Sequence, residues 1–124
     1  MLDVKALLTK ILDALKTDYV IEQGTVSNWS YRKWKSGKAE AWITGLSLGS
    51  QSGSVWANPI RYKDLSPSLP SGVFTNTPVV VMTSATNQWW VVDANATSTT
   101  SISARFATVS SSSSNITVNV YAKG

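Results

Sequence analysis

The sequence predicts a mainly β protein, an antiparallel β-sandwich or barrel that follows one short N-terminal helix. After residue 17, short runs of alternating apolar and polar side chains are separated by Gly, Pro, Asn and Ser, which is typical of antiparallel strands. Only 15% of the residues are charged and six are tryptophan, which suits a sheet protein with a polar surface. The 124 residues are enough for one domain plus a helix. We therefore divide the chain into a helix (1–17) and a β head (18–124).

The first 17 residues carry apolar side chains at alternating spacings of three and four. The positions are Met1, Val4, Leu8, Ile11 and Leu15. This is the seam of a coiled coil, and a lone helix of ~24 Å is marginal in water without a partner. Leu7 and Leu12 widen the apolar face, which favours three helices, or docking of the helix onto the β head, over a dimer. We expect a trimerising neck, the alternative being a helix folded back on its own sheet.

A β-hairpin is predicted next. Residues 19–23 form a short β run that Gly24 closes, and residues 28–35 then alternate. Ser36 and Gly37 supply a two-residue turn, and the chain returns through residues 38–48.

The faces of this hairpin follow from the alternation. Ala39, Ala41 and Ile43 share one face of the returning strand. Arg32 and Glu40 lie at nearly mirror positions about the turn, so we expect them to form a cross-strand ion pair.

The rest of the chain supplies four to five further strands and no second helix. A flexible loop is expected at 49–54, and an irregular, Pro-rich connection at 63–72. A strand is expected at 55–62, and Pro59 in its middle indicates an edge strand or a bulge there. The other strands are expected at 79–84, 89–93, 99–109 and 116–121.

The residue types exclude several kinds of site. The chain has no Cys and no His, so disulfides, zinc sites built on thiolate or imidazole, and Ser-His-Asp triads are ruled out. No phosphate-binding glycine loop or EF-hand loop occurs. We expect no metal and no cofactor.

The net charge and the hydropathy of the chain limit the classes of partner that we expect. The net charge is +4, but the basic residues alternate with acidic ones on the helix or surround the hairpin turn, as on solvated surfaces. We expect no nucleic-acid partner; tryptophans beside basic residues leave single-strand stacking as a lesser alternative. No stretch is apolar enough to cross a membrane, and no signal peptide is evident, so we expect synthesis in the cytoplasm.

Seven carboxylates are the remaining candidates for chemistry. A glycosidase needs two that converge on one sugar. Glu22, Glu40, Asp64 and Asp93 lie on or near strands and could pair, but ion pairs with nearby Arg and Lys explain them more simply. We expect no enzyme activity.

Adjacent tryptophans at 89 and 90 are the candidate ligand site. Neighbouring strand residues point to opposite faces, so one ring should face outward or meet another subunit. An outward ring near Asn87, Gln88 and Asp93 would suit a saccharide, with an aromatic plate for the sugar ring and polar groups for its hydroxyls. The candidate site is therefore Asn87, Gln88, Trp89, Trp90 and Asp93, and a subunit contact is the alternative.

A resemblance to a known family lies in the hairpin. Residues 29–42 read WSYRKWKSGKAEAW, and residues 20–24 read VIEQG. This stretch resembles the W-x-Y-R-K-W-x-S-G-x-A-E-x-W pattern that begins the distal β-domain of some phage and prophage tail-fibre and baseplate receptor-binding proteins. Family members often carry Cys where this chain has Ala41. The residues of the pattern are accounted for as scaffold of the hairpin, without a ligand.

The resemblance implies a homotrimer with a helical neck and a β head that binds saccharides of the host cell surface. On that basis we expect a virion tail protein, assembled in the bacterial cytoplasm, whose partners are bacterial polysaccharide and other tail or baseplate proteins. The chain would be a fragment or a small separate tail subunit. The alternatives are a structural tail subunit and a polysaccharide-cleaving spike domain.

Overall fold

One helix and nine strands make up the described part of the chain. The computed structural model describes residues 3–16, 18–86, 88–89 and 91–124. The elements are α1 (Val4–Lys16), β1 (Val20–Val26), β2 (Trp29–Trp34), β3 (Ala39–Gln51), β4 (Ser54–Ala57), β5 (Ile60–Leu65), β6 (Val79–Ser84), β7 (Val91–Ala96), β8 (Ile102–Thr108) and β9 (Ser114–Lys123).

The strands form two antiparallel sheets. The first has the order β1-β2-β3-β9-β6 and the second the order β4-β5-β8-β7. Each sheet ends in two edge strands, so neither closes on itself. The prediction of a mainly β, antiparallel sandwich is confirmed, and the barrel alternative is wrong.

A single hydrophobic core joins the two sheets. From the first sheet, Ile116, Val118 and Val120 alternate inward along β9 and are at most 3% exposed. From the second sheet, Ile102 and Phe106 on β8 point into the same cluster and are at most 1% exposed. The alternation predicted for these two strands is confirmed, because period-2 burial places every second side chain in the core.

The connection between β5 and β6 closes one end of this core. Leu69, Val73 and Phe74 are buried although they belong to no strand. The Leu69 N–H donates to the Thr100 carbonyl at 2.9 Å, which ties the connection to the segment before β8. The irregular connection was predicted at 63–72, but β5 continues to Leu65 and the connection extends to the start of β6 at Val79. Its role in the core was not predicted.

Two turns differ from the sequence prediction. Gly24 lies inside β1, and the turn falls at Ser27 and Asn28, which both have positive φ (48° and 68°). The β2–β3 loop has three residues, because the Trp34 N–H bonds the Lys38 carbonyl at 2.9 Å. Gly37, with φ of 93°, gives the loop its left-handed residue.

Two further strand boundaries are corrected. Pro59 lies in the turn between β4 and β5, so the strand predicted at 55–62 is a hairpin. The loop predicted at 49–54 shrinks to Ser52 and Gly53, because β3 continues to Gln51.

Helix α1 leaves its apolar face uncovered. Asp3 precedes the helix as its N-cap, and its Oδ1 accepts the Ala6 N–H at 3.2 Å. The apolar side chains described along it are 44–59% exposed; they are Val4, Leu7, Leu8, Ile11 and Leu12. The face therefore does not pack on the chain's own sheets. Met1 lies outside the described residues, and Leu15 is described only through its backbone.

Asp18 connects the end of the helix region to the β2–β3 turn. Its carboxylate accepts the Ser36 N–H at 3.0 Å and the Ser36 hydroxyl at 2.6 Å. The hydroxyl bond is the main reason that the pKa of Asp18 lies below its ordinary value.

Nothing in the described part of the chain is a helix long and apolar enough to span a membrane.

Candidate functional site

An open groove runs over the outer face of the second sheet. Its volume is about 720 Å³. The side chains that matter chemically are Trp56, Asp64, Asp93, Asn95, Ser103 and Arg105. They come from all four strands of this sheet.

Strand register explains why these side chains meet. Because Ile102, Ala104 and Phe106 of β8 point into the core, Ser103 and Arg105 point outward. Arg105 pairs across the sheet with Asp64 of β5 on one side and with Asp93 of β7 on the other. Asn95 pairs with Ser103. The groove is therefore lined by a row of three charged residues and a neighbouring row of neutral polar ones.

The Arg105 guanidinium lies at the centre of the groove, fixed by Asp64. Its Nε donates to Asp64 Oδ1 at 2.7 Å and its Nη2 donates to Asp64 Oδ2 at 2.8 Å. This two-bond geometry holds the guanidinium plane in one orientation.

Two aromatic rings pack against the same guanidinium. The Arg105 Cζ atom lies 4.4 Å from the centroid of the Tyr62 ring and 5.2 Å from that of Trp56. The two rings meet edge to face, with centroids 5.8 Å apart and planes at 72°. The exposed Trp56 ring is thus held in place from two sides, which lowers the entropy that a ligand would have to remove.

Ionisation in the groove follows from the same contacts. The hydrogen bonds that Arg105 donates to Asp64 hold the pKa of Asp64 below its ordinary value and raise the pKa of Arg105. The charge of Asp93 raises the Arg105 pKa further. Asp64 is therefore an ionised acceptor at neutral pH, which makes it a poor proton donor for acid catalysis.

The groove presents groups of the kind that contact a polyhydroxylated ligand. Trp56 is 56% exposed and offers an apolar plate. Around it stand carboxylate oxygens of Asp64 and Asp93, the amide of Asn95 and the hydroxyl of Ser103, which can exchange hydrogen bonds with ligand hydroxyls. This is the combination of groups that the sequence led us to expect for a saccharide site, built around a different tryptophan.

Of the predicted site residues, the structure places Asp93 in the groove and Trp89 in the core. Asp93 lines the groove. Trp89 is 0% exposed and its indole N–H donates to the Ser114 hydroxyl at 2.7 Å. Its ring is therefore part of the core and cannot serve as an outward plate. Gln88 is exposed, and its backbone carbonyl accepts the Thr108 hydroxyl. Asn87 and Trp90 lie outside the described residues.

Sequence reasoning missed Trp56, Asp64 and Arg105 as members of one site. Arg105 was one residue out of phase with the buried positions of its strand, which was a usable signal that it points outward. The pairing with Asp64 spans 41 residues and requires knowledge that β5 and β8 are neighbours. Trp56 was hidden because its hairpin was read as one strand.

The outer face of the first sheet carries a second arginine cluster. Arg32 Nη1 lies 3.4 Å from Glu40 Oε1, which confirms the predicted cross-strand pair. The Tyr121 hydroxyl donates to Glu40 Oε2 at 2.6 Å, and this bond is the main reason that the pKa of Tyr121 is raised. Arg32 also lies 5.1 Å from the Trp42 centroid, beside a depression of about 320 Å³.

The other candidate acids, Glu22 and Glu40, lie on the first sheet and not in the groove of the second. Glu22 lies on β1 of the first sheet and pairs with Lys33 at 3.0 Å. Among the described residues, no group of three His, Cys, Asp or Glu could hold a metal ion. Comparison of the chain with protein-family models, curated proteins and solved structures finds no match. The groove and the uncovered helix are therefore the two features that bear on its function.

Proposed function

We propose that this chain is the receptor-binding head of a phage tail, a non-catalytic module that adheres to saccharide on the host cell surface as a homotrimer. The observation that carries the proposal is the open groove, in which the exposed Trp56 ring is held over the Arg105–Asp64 pair. Residues 29–42, which resemble tail-fibre and baseplate receptor-binding proteins, support the tail assignment.

Weak, shallow recognition agrees with the shape of the groove. It is open to solvent along one face of the second sheet. Such a site binds one sugar weakly, but several copies held together gain avidity when they engage a repeating polymer. Adhesion to a polysaccharide therefore benefits from an oligomer.

The uncovered face of α1 supplies the means of assembly. Val4, Leu8 and Ile11 follow the coiled-coil seam and are 49–59% exposed. We assign their occupant as the same face of two further copies, because Leu7 and Leu12 flank the seam and give the broad apolar face of a trimer. Burying these side chains provides the drive for association.

Assembly is tested by light scattering on the wild type and on a double variant, Leu8→Asp with Ile11→Asp. We expect a wild-type mass near three times 13.4 kDa over a range of concentrations, and a lower mass for the variant. Lys10→Asp, on the polar side of the helix, is the matched control and should remain trimeric. A wild-type monomer, or an unchanged mass in the double variant, would contradict the neck.

Adhesion is tested by the binding of labelled protein to a panel of bacterial strains. We expect binding to some strains, competition by polysaccharide extracted from them, and loss of both in Trp56→Ala. No reducing ends should be released from the bound polysaccharide. Binding that resists removal of surface polysaccharide would contradict saccharide recognition, and released reducing ends would establish the cleaving alternative.

An exposed edge strand favours one other function, that of a structural subunit that contacts other tail proteins. Val79 and Val81 on β6 are 73% and 57% exposed and form an apolar stripe beside Tyr121. An edge strand of this kind can take up a strand from another protein. Binding to purified tail components without binding to any cell surface would favour this function.

A further inference from the structure

We infer that the groove selects uncharged saccharides and rejects acidic ones. The inference rests on the proposed function and adds the chemical class of the ligand. It follows from the charges in the groove, from the hydrogen bonds that already engage Arg105, and from the groups that remain free for a ligand.

The groove carries an excess of negative charge. Asp64 and Asp93 flank Arg105 in one cross-strand row, so two carboxylates face a single guanidinium. The charge of Lys63 also lowers the pKa of Asp64. However, Lys63 pairs across the sheet with the buried Phe106, so the Lys63 side chain leaves β5 on the face opposite the groove. An acidic sugar would therefore meet a groove of its own sign, and the juxtaposition of like charges weakens binding.

Arg105 is poorly placed to offset that repulsion. A site for a carboxylate or phosphate usually offers an arginine with two parallel N–H donors free. Here Nε and Nη2 of Arg105 already bond the two oxygens of Asp64. An acidic ligand would have only the Nη1–Nη2 edge left to bond, and there it would add a third carboxylate to the two that already face this one guanidinium.

The groups left for a ligand are neutral donors or negatively charged acceptors. Asp93, Asn95 and Ser103 line the groove, and no salt bridge engages Asp93 in the described part of the chain. Carboxylates accept hydrogen bonds from ligand hydroxyls, and the amide can both donate and accept. Together with the Trp56 ring, these groups suit neutral hexose residues.

The test uses two pairs of immobilised polysaccharides in which both members have the same β-linkage and the sugars differ in charge: glucan and glucuronan, and mannan and polymannuronate. We expect wild-type protein to bind at least one neutral member, and to prefer it to its acidic partner by about tenfold or more, which is ~1.4 kcal/mol. The preference should weaken as salt screens the exposed charges.

Charge variants of Asp93 complete the design. Asp93→Asn should reduce the preference for the neutral polymer several-fold, and Asp93→Lys should reverse its sign. Glu22→Gln, on the other sheet, is the matched control and should leave the preference unchanged. Both Asp93 substitutions change an exposed side chain, so the fold should tolerate them.

The outcomes separate the two proposals. Equal or tighter binding of the acidic polymers, or an unchanged preference in Asp93→Lys, would overturn the inference and leave saccharide adhesion standing. Binding to cells with no binding to any neutral member would also overturn it. Binding to no polysaccharide and to no strain would overturn the proposed function itself.

Discussion

The outer faces of the two sheets each carry an arginine, a tryptophan and a carboxylate in the same arrangement, but in different surroundings. On the first sheet, Arg32 stacks on Trp42 and bonds Glu40. On the second, Arg105 stacks on Trp56 and bonds Asp64. The distances from guanidinium to indole centroid are nearly equal, 5.1 and 5.2 Å.

The difference lies in what surrounds each carboxylate and each indole. Glu40 accepts a second hydrogen bond from Tyr121, and its side chain is 16% exposed. The Asp64 side chain is 56% exposed, as is Trp56, which stands on the edge strand β4 beside the open groove. The same residue types therefore form scaffold where partners close around them and a candidate site where the sheet edge leaves them open.

The largest expected effect is the loss of stability on removal of the Trp89 ring, which lies in the core and on neither outer face. Trp89→Ala should lower the free energy of unfolding by ~3–5 kcal/mol, because it removes a fully buried ring and leaves a cavity. Chemical denaturation measures this loss. Trp89→Phe, which keeps most of the ring volume, should fold and retain adhesion. Unchanged stability together with lost adhesion would return Trp89 to the ligand site.

The two stacked tryptophans should separate binding from stability. Trp56→Ala should weaken adhesion by about tenfold or more, as expected for a tryptophan at the centre of a binding surface, with little change in unfolding. Trp42→Ala is its matched control and should lower the free energy of unfolding by roughly 1–3 kcal/mol without loss of adhesion in the folded fraction. The reverse pattern would place the receptor on the first sheet.

The smallest expected effect concerns the closed cluster. Tyr121→Phe should cost no more than ~1 kcal/mol, because it removes one hydrogen bond near the surface. The pKa of Tyr121 is raised in the folded state, so its contribution is complete below the ordinary tyrosine pKa and is lost as pH rises through the folded value. Tyrosinate absorbance on alkaline titration measures this, and the late-titrating group should vanish in Tyr121→Phe. An unchanged titration curve would contradict the bond.

The groove should respond at the opposite end of the pH scale. The pKa of Asp64 is lowered in the folded state, so its pairing with Arg105 is complete above the ordinary Asp pKa and is lost as pH falls through the folded value. The side chain is exposed, so we expect loss of adhesion on acidification and little change in stability. Asp64→Asn should show weak adhesion at every pH. Adhesion that is unchanged in this variant would remove Asp64 from the site.

The sequence predicted what depends on local pattern. Alternation placed Ile116, Val118 and Val120 inward, and the mirror positions about the turn paired Arg32 with Glu40. Both follow from the period of a strand and the register of a hairpin.

The candidate site depends on contacts that are distant in sequence. Arg105 meets Asp64 only because β5 and β8 are neighbours, and no local signal fixes that strand order. The burial of Trp89 likewise depends on the sheet that covers it and on Ser114, which accepts its N–H. Residue types pointed to an aromatic and polar saccharide site, but tertiary pairing decided which tryptophan forms it.

The central claim is that the groove of the second sheet is the receptor site, and ¹H–¹⁵N NMR tests it most directly. A neutral polysaccharide fragment that competes for adhesion would be titrated into labelled protein, with side-chain indole and guanidinium signals assigned by substitution. We expect the Trp56 indole and Arg105 Nε–H signals to shift, while those of Trp42 and Arg32 stay in place. Shifts confined to Trp42 and Arg32, or a competing fragment that moves neither pair, would contradict the account.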